Sequence, residues 1–184
     1  MEYTVDATSG LISPARFCRS ENCDARPESA GIDAIIIHGI SLPPGEFGGP
    51  AIEQLFTNGL DPSAHPYFRE IEGLSVSAHL LIRRDGELVQ FVSFNDRAWH
   101  AGASTFRGQP RCNDYSIGIE LEGLDDVPYE AAQYQALGGV IAALKRAYPA
   151  LSNRRIAGHS DIAPGRKTDP GPAFDWLQLY DGLC

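Results

Sequence analysis

Basic residues are scarce: the chain of 184 residues has 15 Lys and Arg against 24 Asp and Glu, a formal net charge of -9. That balance argues against non-specific nucleic-acid binding, which needs a basic face. It leaves small ligands open, because a pocket can be locally basic. Long apolar runs are also missing, since no stretch approaches the roughly 20 residues that a membrane-spanning helix needs. No membrane partner is expected. The opening Met1-Glu-Tyr-Thr-Val-Asp6 has neither the basic start nor the apolar core of a secretory signal. Read from Met1, the protein is expected in the cytoplasm. Cys18, Cys23, Cys112 and Cys184 make no C-x-x-C pairs, and free thiols are their simplest state in a reducing compartment. A Cys18–Cys23 bridge or a structural zinc stays open on spacing alone. Internal repeats and low-complexity segments are absent, and the length suits one domain, 1–184, with a core of its own.

Residues 1–33 are polar and broken by Pro14 and Pro27, which predicts an irregular surface wrap. Ala34-Ile-Ile-Ile-His38 reads as a strand buried on both faces, ending in a histidine where ligands of α/β sheets gather. The Pro/Gly-rich Leu42–Pro50 must be a loop. Short helices are predicted over Ala51–Thr57 and Pro62–Ile71, the second capped by Asp61. With Gly39 to about Gly73 they form a candidate lid. Ser75–Arg83 and Glu87–Phe94 read as a hairpin around Arg84-Asp85-Gly86. Ser116–Glu122 alternates, placing Ile117, Ile119 and Leu121 on one face and Gly118, Glu120 and Glu122 on the other. Tyr134, Leu137, Ile141, Leu144 and Tyr148 give Tyr129–Tyr148 a helical stripe that Pro149 ends. Ala173–Leu179 reads as a closing helix. Strands alternating with helices predict an α/β domain, a mixed central β-sheet flanked by helices.

The stretch Ile156–Pro172 is the densest in chemistry. It carries His159, Lys167 and Asp169 among Pro164, Gly165, Pro170, Gly171 and Pro172, which predicts a loop. Imidazole and carboxylate together suit zinc, which in catalytic sites takes three protein ligands and a water. A third ligand must come from elsewhere, and His38 is the strand-end candidate. Spacing alone does not choose between it and the remaining histidines. His65 reads as an exposed helix residue, His79 as a strand residue bonded to the layer below, and His100 as a pocket-lining group.

Taken in order, His38-Gly-Ile-Ser-Leu-Pro-Pro-Gly-Glu-Phe-Gly-Gly-Pro50, Val76-Ser-Ala-His79, Arg97-Ala-Trp-His-Ala-Gly102, Cys112-Asn-Asp-Tyr-Ser-Ile-Gly-Ile-Glu-Leu-Glu-Gly123, Gly158-His-Ser-Asp-Ile-Ala-Pro164 and Lys167-Thr-Asp-Pro-Gly-Pro-Ala-Phe-Asp-Trp176 resemble the cytoplasmic N-acetylmuramoyl-L-alanine amidases of peptidoglycan recycling, the AmpD type. The resemblance covers nearly all of the chain after residue 15. It implies a sheet flanked by helices with a zinc cleft on one face, and one Zn2+ per chain held by His38, His159 and Asp169. It also implies Glu120 and Lys167 as the catalytic pair, and Trp99, Arg111, His100 and Ala98 at the substrate. Glu120 would move the proton of the attacking water, Lys167 would stabilise the oxyanion, and Arg111 would meet a carboxylate of the stem peptide. Glu122 reads as an exposed acidic edge.

The implied reaction is hydrolysis of the lactyl-amide bond between a 1,6-anhydro-muramyl sugar and L-alanine. The rivals are an amidase of polymeric wall and a binding module without catalysis; the intact ligand set with Glu120 and Lys167 weighs against the latter. Family members usually carry Asn where Gly39 stands and often Cys where Ser160 stands. Without an amide at 39, more of the discrimination should fall on the peptide side, and Gly39→Asn is expected to leave activity unchanged or improved.

Overall fold

Alternation decides which way the central strands face. In the computed structural model, which describes residues 2–183, Ala34–Ile40 and Ser116–Glu122 are parallel neighbours in full register, with Glu120 beside His38. Because side chains point to alternate faces, Ile35, Ile37, Ile117, Ile119 and Leu121 all pack into one core with Leu137, Val140, Ile141 and Leu144 of the helix Ala131–Ala147. His38 and Glu120 are thereby left to the opposite face.

The sheet has six strands in the order Ile156–Gly158, Ala34–Ile40, Ser116–Glu122, Leu80–Ile82, Leu88–Gln90, Arg16–Phe17. Only the Leu80–Ile82 and Leu88–Gln90 pair is antiparallel, so the sheet is mixed as expected. The helix Ala131–Ala147 starts where Gln133 Oε1 accepts the Glu130 N–H at 3.0 Å, a reach-back that satisfies an orphan donor of the first turn.

Several expectations need correction. Residues 1–33 are not an irregular wrap. They hold the short strands Thr4–Asp6, Leu11–Ser13 and Cys23–Ala25, and Arg16–Phe17 is the edge of the central sheet. Runs of two or three residues are too short to show a period. The predicted hairpin exists, but only three residues of each arm pair. The second short helix is Pro66–Glu70, capped by His65, whose Nδ1 accepts the Tyr67 N–H at 3.1 Å. Asp61 instead accepts from Ser63 within its own turn, so His65 is a cap rather than a plain helix residue. The closing helix is Trp176–Asp181, capped by Asp175. Cys18, Cys23 and Cys112 are free thiols; Cys184 lies outside the described residues.

Glu122 is not an exposed edge. It is 1% exposed, and its Oε1 accepts from Arg83 Nη1 at 3.1 Å and from the Gly48 N–H at 2.7 Å. Arg83 also bonds the Gly49 carbonyl and Glu53. The Pro/Gly loop is therefore pinned to the sheet by a buried ion pair. A second concavity beside it, about 550 Å³, is lined by Arg16, Glu53, Arg83, Glu87 and Glu122, charges already paired with one another.

Within the candidate lid, Ile52, Leu55, Phe56 and Phe68 build a second core with Leu81, Val89 and Phe91, and Phe56 meets Phe91 edge-on at 5.0 Å. Such burial resists local opening. We therefore infer that closure over the cleft is confined to 57–64 and 71–76, whose backbone is turn or irregular. Amide exchange should be slow at Leu55 and Phe56, as in the central strands, and fast at Asn58, Gly59 and Gly73. Uniformly fast exchange across 51–76 would restore a whole-segment lid, and uniformly slow exchange would remove the lid altogether.

Candidate metal centre and active-site cleft

The C-terminal ends of the parallel strands bring the chemistry together, as α/β sheets commonly do. His38 lies near the end of Ala34–Ile40. The stretch after Ile156 is not loop from its start. Ile156–Gly158 is the edge strand beside Ala34–Ile40, and His159 opens the helical turn His159–Ile162. The chain becomes irregular only from about Pro164, where the Pro and Gly residues lie. It then folds back, and the Ser160 N–H donates to the Asp169 carbonyl at 2.9 Å.

Three atoms converge. His38 Nδ1 and His159 Nδ1 are 2.9 Å apart, and Asp169 Oδ2 is 3.2 and 3.1 Å from them. These are the residues whose ligand atoms group closely enough to hold a metal ion among those described. Donor and acceptor accounting shows what the triangle needs. The Cys112 carbonyl can only accept, so the Ser116 hydroxyl donates to it at 2.6 Å. Ser116 Oγ then receives the proton of His100 Nε2 at 3.2 Å. Neutral His100 thus accepts at Nδ1 from His38 Nε2 at 2.9 Å, which leaves His38 Nδ1 bare. On His159, Nε2 donates to the Ala101 carbonyl at 3.3 Å, and Nδ1 is again the free nitrogen. Burial pushes His38 down to about 4 and His100 well below the usual imidazole value, consistent with neutral rings. Two bare nitrogens and a carboxylate oxygen facing one another repel without a cation between them. Their spacing matches a tetrahedral zinc, whose bonds of about 2.0–2.1 Å separate ligand atoms by about 3.3 Å.

Glu120 stands beside this triangle, on the strand next to His38. It is 8% exposed, and its Oε2 is buried with no hydrogen-bond partner. Burial pushes its carboxyl well above the usual range and the Asp169 charge pushes it further, against the opposing pull of Lys167. Both carboxyl and ammonium line a cleft of about 680 Å³, with His38, His159 and Asp169 at its polar end and Leu55, Tyr67, Ile71, Leu74 and Trp99 on an apolar wall.

The other expected substrate residues divide. Trp99 lines the cleft. His100 touches it but chiefly backs His38, as its bonds show. Gly118 makes room for that ring, since a Cβ there would lie 2.4 Å from His100 Cγ. Ala98 is fully buried in the second core and does not line the cleft. Arg111 is not among the lining residues either. Its side chain is 78% exposed and pairs with Asp114 at 3.0 Å. Two residues on, Asn113 Oδ1 receives the N–H groups of His100 and Ala101, which ties the Arg111 turn to the cleft wall.

Gly39 has less room for a side chain than the sequence suggests. A Cβ there would lie 2.3 Å from the Tyr129 hydroxyl, so Gly39→Asn requires that hydroxyl to shift, and we expect it to lower activity rather than leave it unchanged. Nothing in the sequence signals a role for Tyr129, which stands behind Gly39, or for Asp125 and Asp126, which line the cleft. The Pro128–Tyr129 corner carries no periodic signal.

A family model described as N-acetylmuramoyl-L-alanine amidase matches residues 28–172, and the chain belongs to that family. It is 58% identical over 170 residues to the 1,6-anhydro-N-acetylmuramyl-L-alanine amidase AmpD of Citrobacter freundii, covering 92% of this chain and 90% of that one. A crystal structure of a selenomethionine AmpD derivative superposes with a TM-score of 0.94 at 53% identity, over 98% of this chain and 99% of that one. A complex of the Escherichia coli N-acetylmuramyl-L-alanine amidase AmiD with anhydro-N-acetylmuramic acid-L-Ala-D-γ-Glu-L-Lys matches with a TM-score of 0.60 at 30% identity, over 85% of this chain and 60% of that one. Among the described residues no helix is long and apolar enough to cross a membrane.

Proposed function

We propose that this amidase is zinc-dependent, with one ion per chain, and cleaves the lactyl-amide bond of soluble 1,6-anhydro-muropeptides in the cytoplasm. The observation that carries the reading is the bare triangle of His38, His159 and Asp169 with the unpartnered Glu120 carboxyl beside it. His38, His159 and Asp169 would hold the ion, which when bound polarises a carbonyl and makes water acidic near neutral pH. The remaining work falls to side chains. Glu120, its carboxyl held above its ordinary range, suits a group that takes a proton from the attacking water and passes it to the leaving amine. The new C–O bond replaces the C–N bond, leaving a lactyl carboxylate and a free L-alanine amine. Lys167 places an ammonium at the same end of the cleft, where the carbonyl oxygen gains charge. Trp99 and the apolar wall offer surface for the sugar and the stem peptide.

The named relatives support the substrate class, since one is an anhydro-muramyl amidase and another was seen with an anhydro-muropeptide. The direct comparison is turnover of purified anhydro-muropeptide against release from intact sacculi. The soluble fragment should be strongly preferred, and equal or better release from sacculi would favour a wall-degrading enzyme.

Lys167→Ala should lower kcat on the order of 10²–10³-fold, as loss of an oxyanion stabiliser does, without changing zinc content. Near-native kcat would remove that role. Arg111 has a left-handed backbone, φ 60°, which costs a non-glycine residue about 1–2 kcal/mol and tends to persist where function demands it. We expect Arg111→Ala to raise KM for a muropeptide with free stem carboxylates while sparing kcat. An unchanged KM would place Arg111 outside recognition.

A further inference from the structure

The three proposed ligands have neighbours in sequence that meet one another. Gly39 follows His38, Gly158 precedes His159 and Pro170 follows Asp169. Cβ atoms built on the two glycines would lie 3.5 Å from Pro170 Cα at Gly39 and 2.9 Å from Pro170 Cδ at Gly158. Pro170 is thus seated against the strand that carries His38 and the strand that leads into His159. What holds it there is Tyr129, 7% exposed, whose hydroxyl donates to the Pro170 carbonyl at 2.9 Å. The ring occupies space beside two residues that lack side chains. Cβ atoms at Gly39 and Gly123 would each come within 2.3 Å of it, at Oη and Cε1 respectively. Phe174 backs the ring edge-on at 5.5 Å.

From this geometry we propose that Tyr129 is a positioning residue of the metal centre: its hydroxyl clamps the Asp169–Pro170 turn onto the strand ends and so sets Asp169 against His38 and His159. In this chain the tyrosine hydroxyl occupies the place that a side chain at Gly39 would take. Tyr129 is not among the residues lining the cleft, so it acts through the ligands and not on the substrate. The proposal rests on the metal reading above.

Four proteins test it: wild type, Tyr129→Phe, Gly39→Ala and the double variant. Zinc dissociation constants are measured by chelator competition, and thermal midpoints in excess chelator. Residues that orient ligands typically contribute about 10–100-fold in metal affinity, and Tyr129→Phe should weaken zinc binding by about that lower figure. Gly39→Ala alone should weaken zinc binding and lower the chelated midpoint, because its Cβ meets Oη. In the Phe background it should add almost nothing, since without Oη the next ring atom, Cζ, stands 3.6 Å away. A merely structural tyrosine would move the midpoint and leave zinc affinity unchanged. Wild-type zinc affinity in Tyr129→Phe, or a Gly39→Ala effect equal in both backgrounds, would overturn the proposal. A wild-type protein with no affinity for zinc would overturn the metal reading itself, and the midpoints in chelator would still report the Gly39–Tyr129 clash.

Discussion

Glu120→Ala is expected to lower kcat by about 10²–10⁴-fold, the usual cost of losing a positioned proton carrier, with no loss of stability. The two halves of that result have one cause. Glu120 is a buried carboxyl with an unpartnered oxygen, and burial raises its pKa well above the ordinary value. A group kept in this state does not help the fold, because taking an unpaired polar group out of water costs free energy. Removing it should leave the thermal midpoint equal or higher, a trade between stability and activity common at active sites. The bland alternative, a structural glutamate, predicts the reverse: lower stability and little change in turnover. Glu122 is the internal control, since its carboxylate pairs with Arg83 and holds Gly48. Breaking a buried ion pair from one side costs about 3–5 kcal/mol, so Glu122→Ala should unfold more easily. Thermal melts and initial rates on the two variants separate these readings; a destabilised Glu120→Ala with near-native kcat would refute the role.

His159→Ala should carry less than one equivalent of tightly bound zinc and lose hydrolysis with it. Catalytic zinc generally takes three protein ligands, and the variant keeps two, His38 and Asp169. The fold should survive, because the strand before His159 is held by its pairing with Ala34–Ile40 and the turn after it by the Gly158 N–H on Asp161 Oδ2 at 2.7 Å. Elemental analysis together with circular dichroism reads both. A folded His159→Ala still holding a full equivalent of zinc would place the metal elsewhere.

The residues of the site were more legible than its geometry. His38 at the end of an apolar strand, and His159 with Asp169 in a Pro/Gly-rich stretch, stand out by residue type and place, and the family resemblance joins them. The stripe Tyr134, Leu137, Ile141 and Leu144 marks its helix because packing against a sheet enforces the 3.6-residue period. Register is different: that Glu120 lies beside His38 follows from pairing between strands about eighty residues apart, which no local pattern encodes. The same limit hid the burial of Glu122, whose partner Arg83 lies on another strand, and the role of His100 behind His38. Proline and glycine counted over Ile156–Pro172 masked the three-residue edge strand at its start. Gly39 shows the limit most clearly. Alone it looks like a lost sugar contact, yet the structure fills its space with the hydroxyl of Tyr129, ninety residues along the chain.

The most direct test follows a purified 1,6-anhydro-muropeptide by mass spectrometry with native protein, chelated protein, and chelated protein given one equivalent of zinc. The native protein should release a peptide beginning with L-alanine, the chelated protein nothing, and a single equivalent of zinc should restore the rate. Chelated, metal-free protein that keeps cleaving at the native rate would contradict a metal centre at His38, His159 and Asp169.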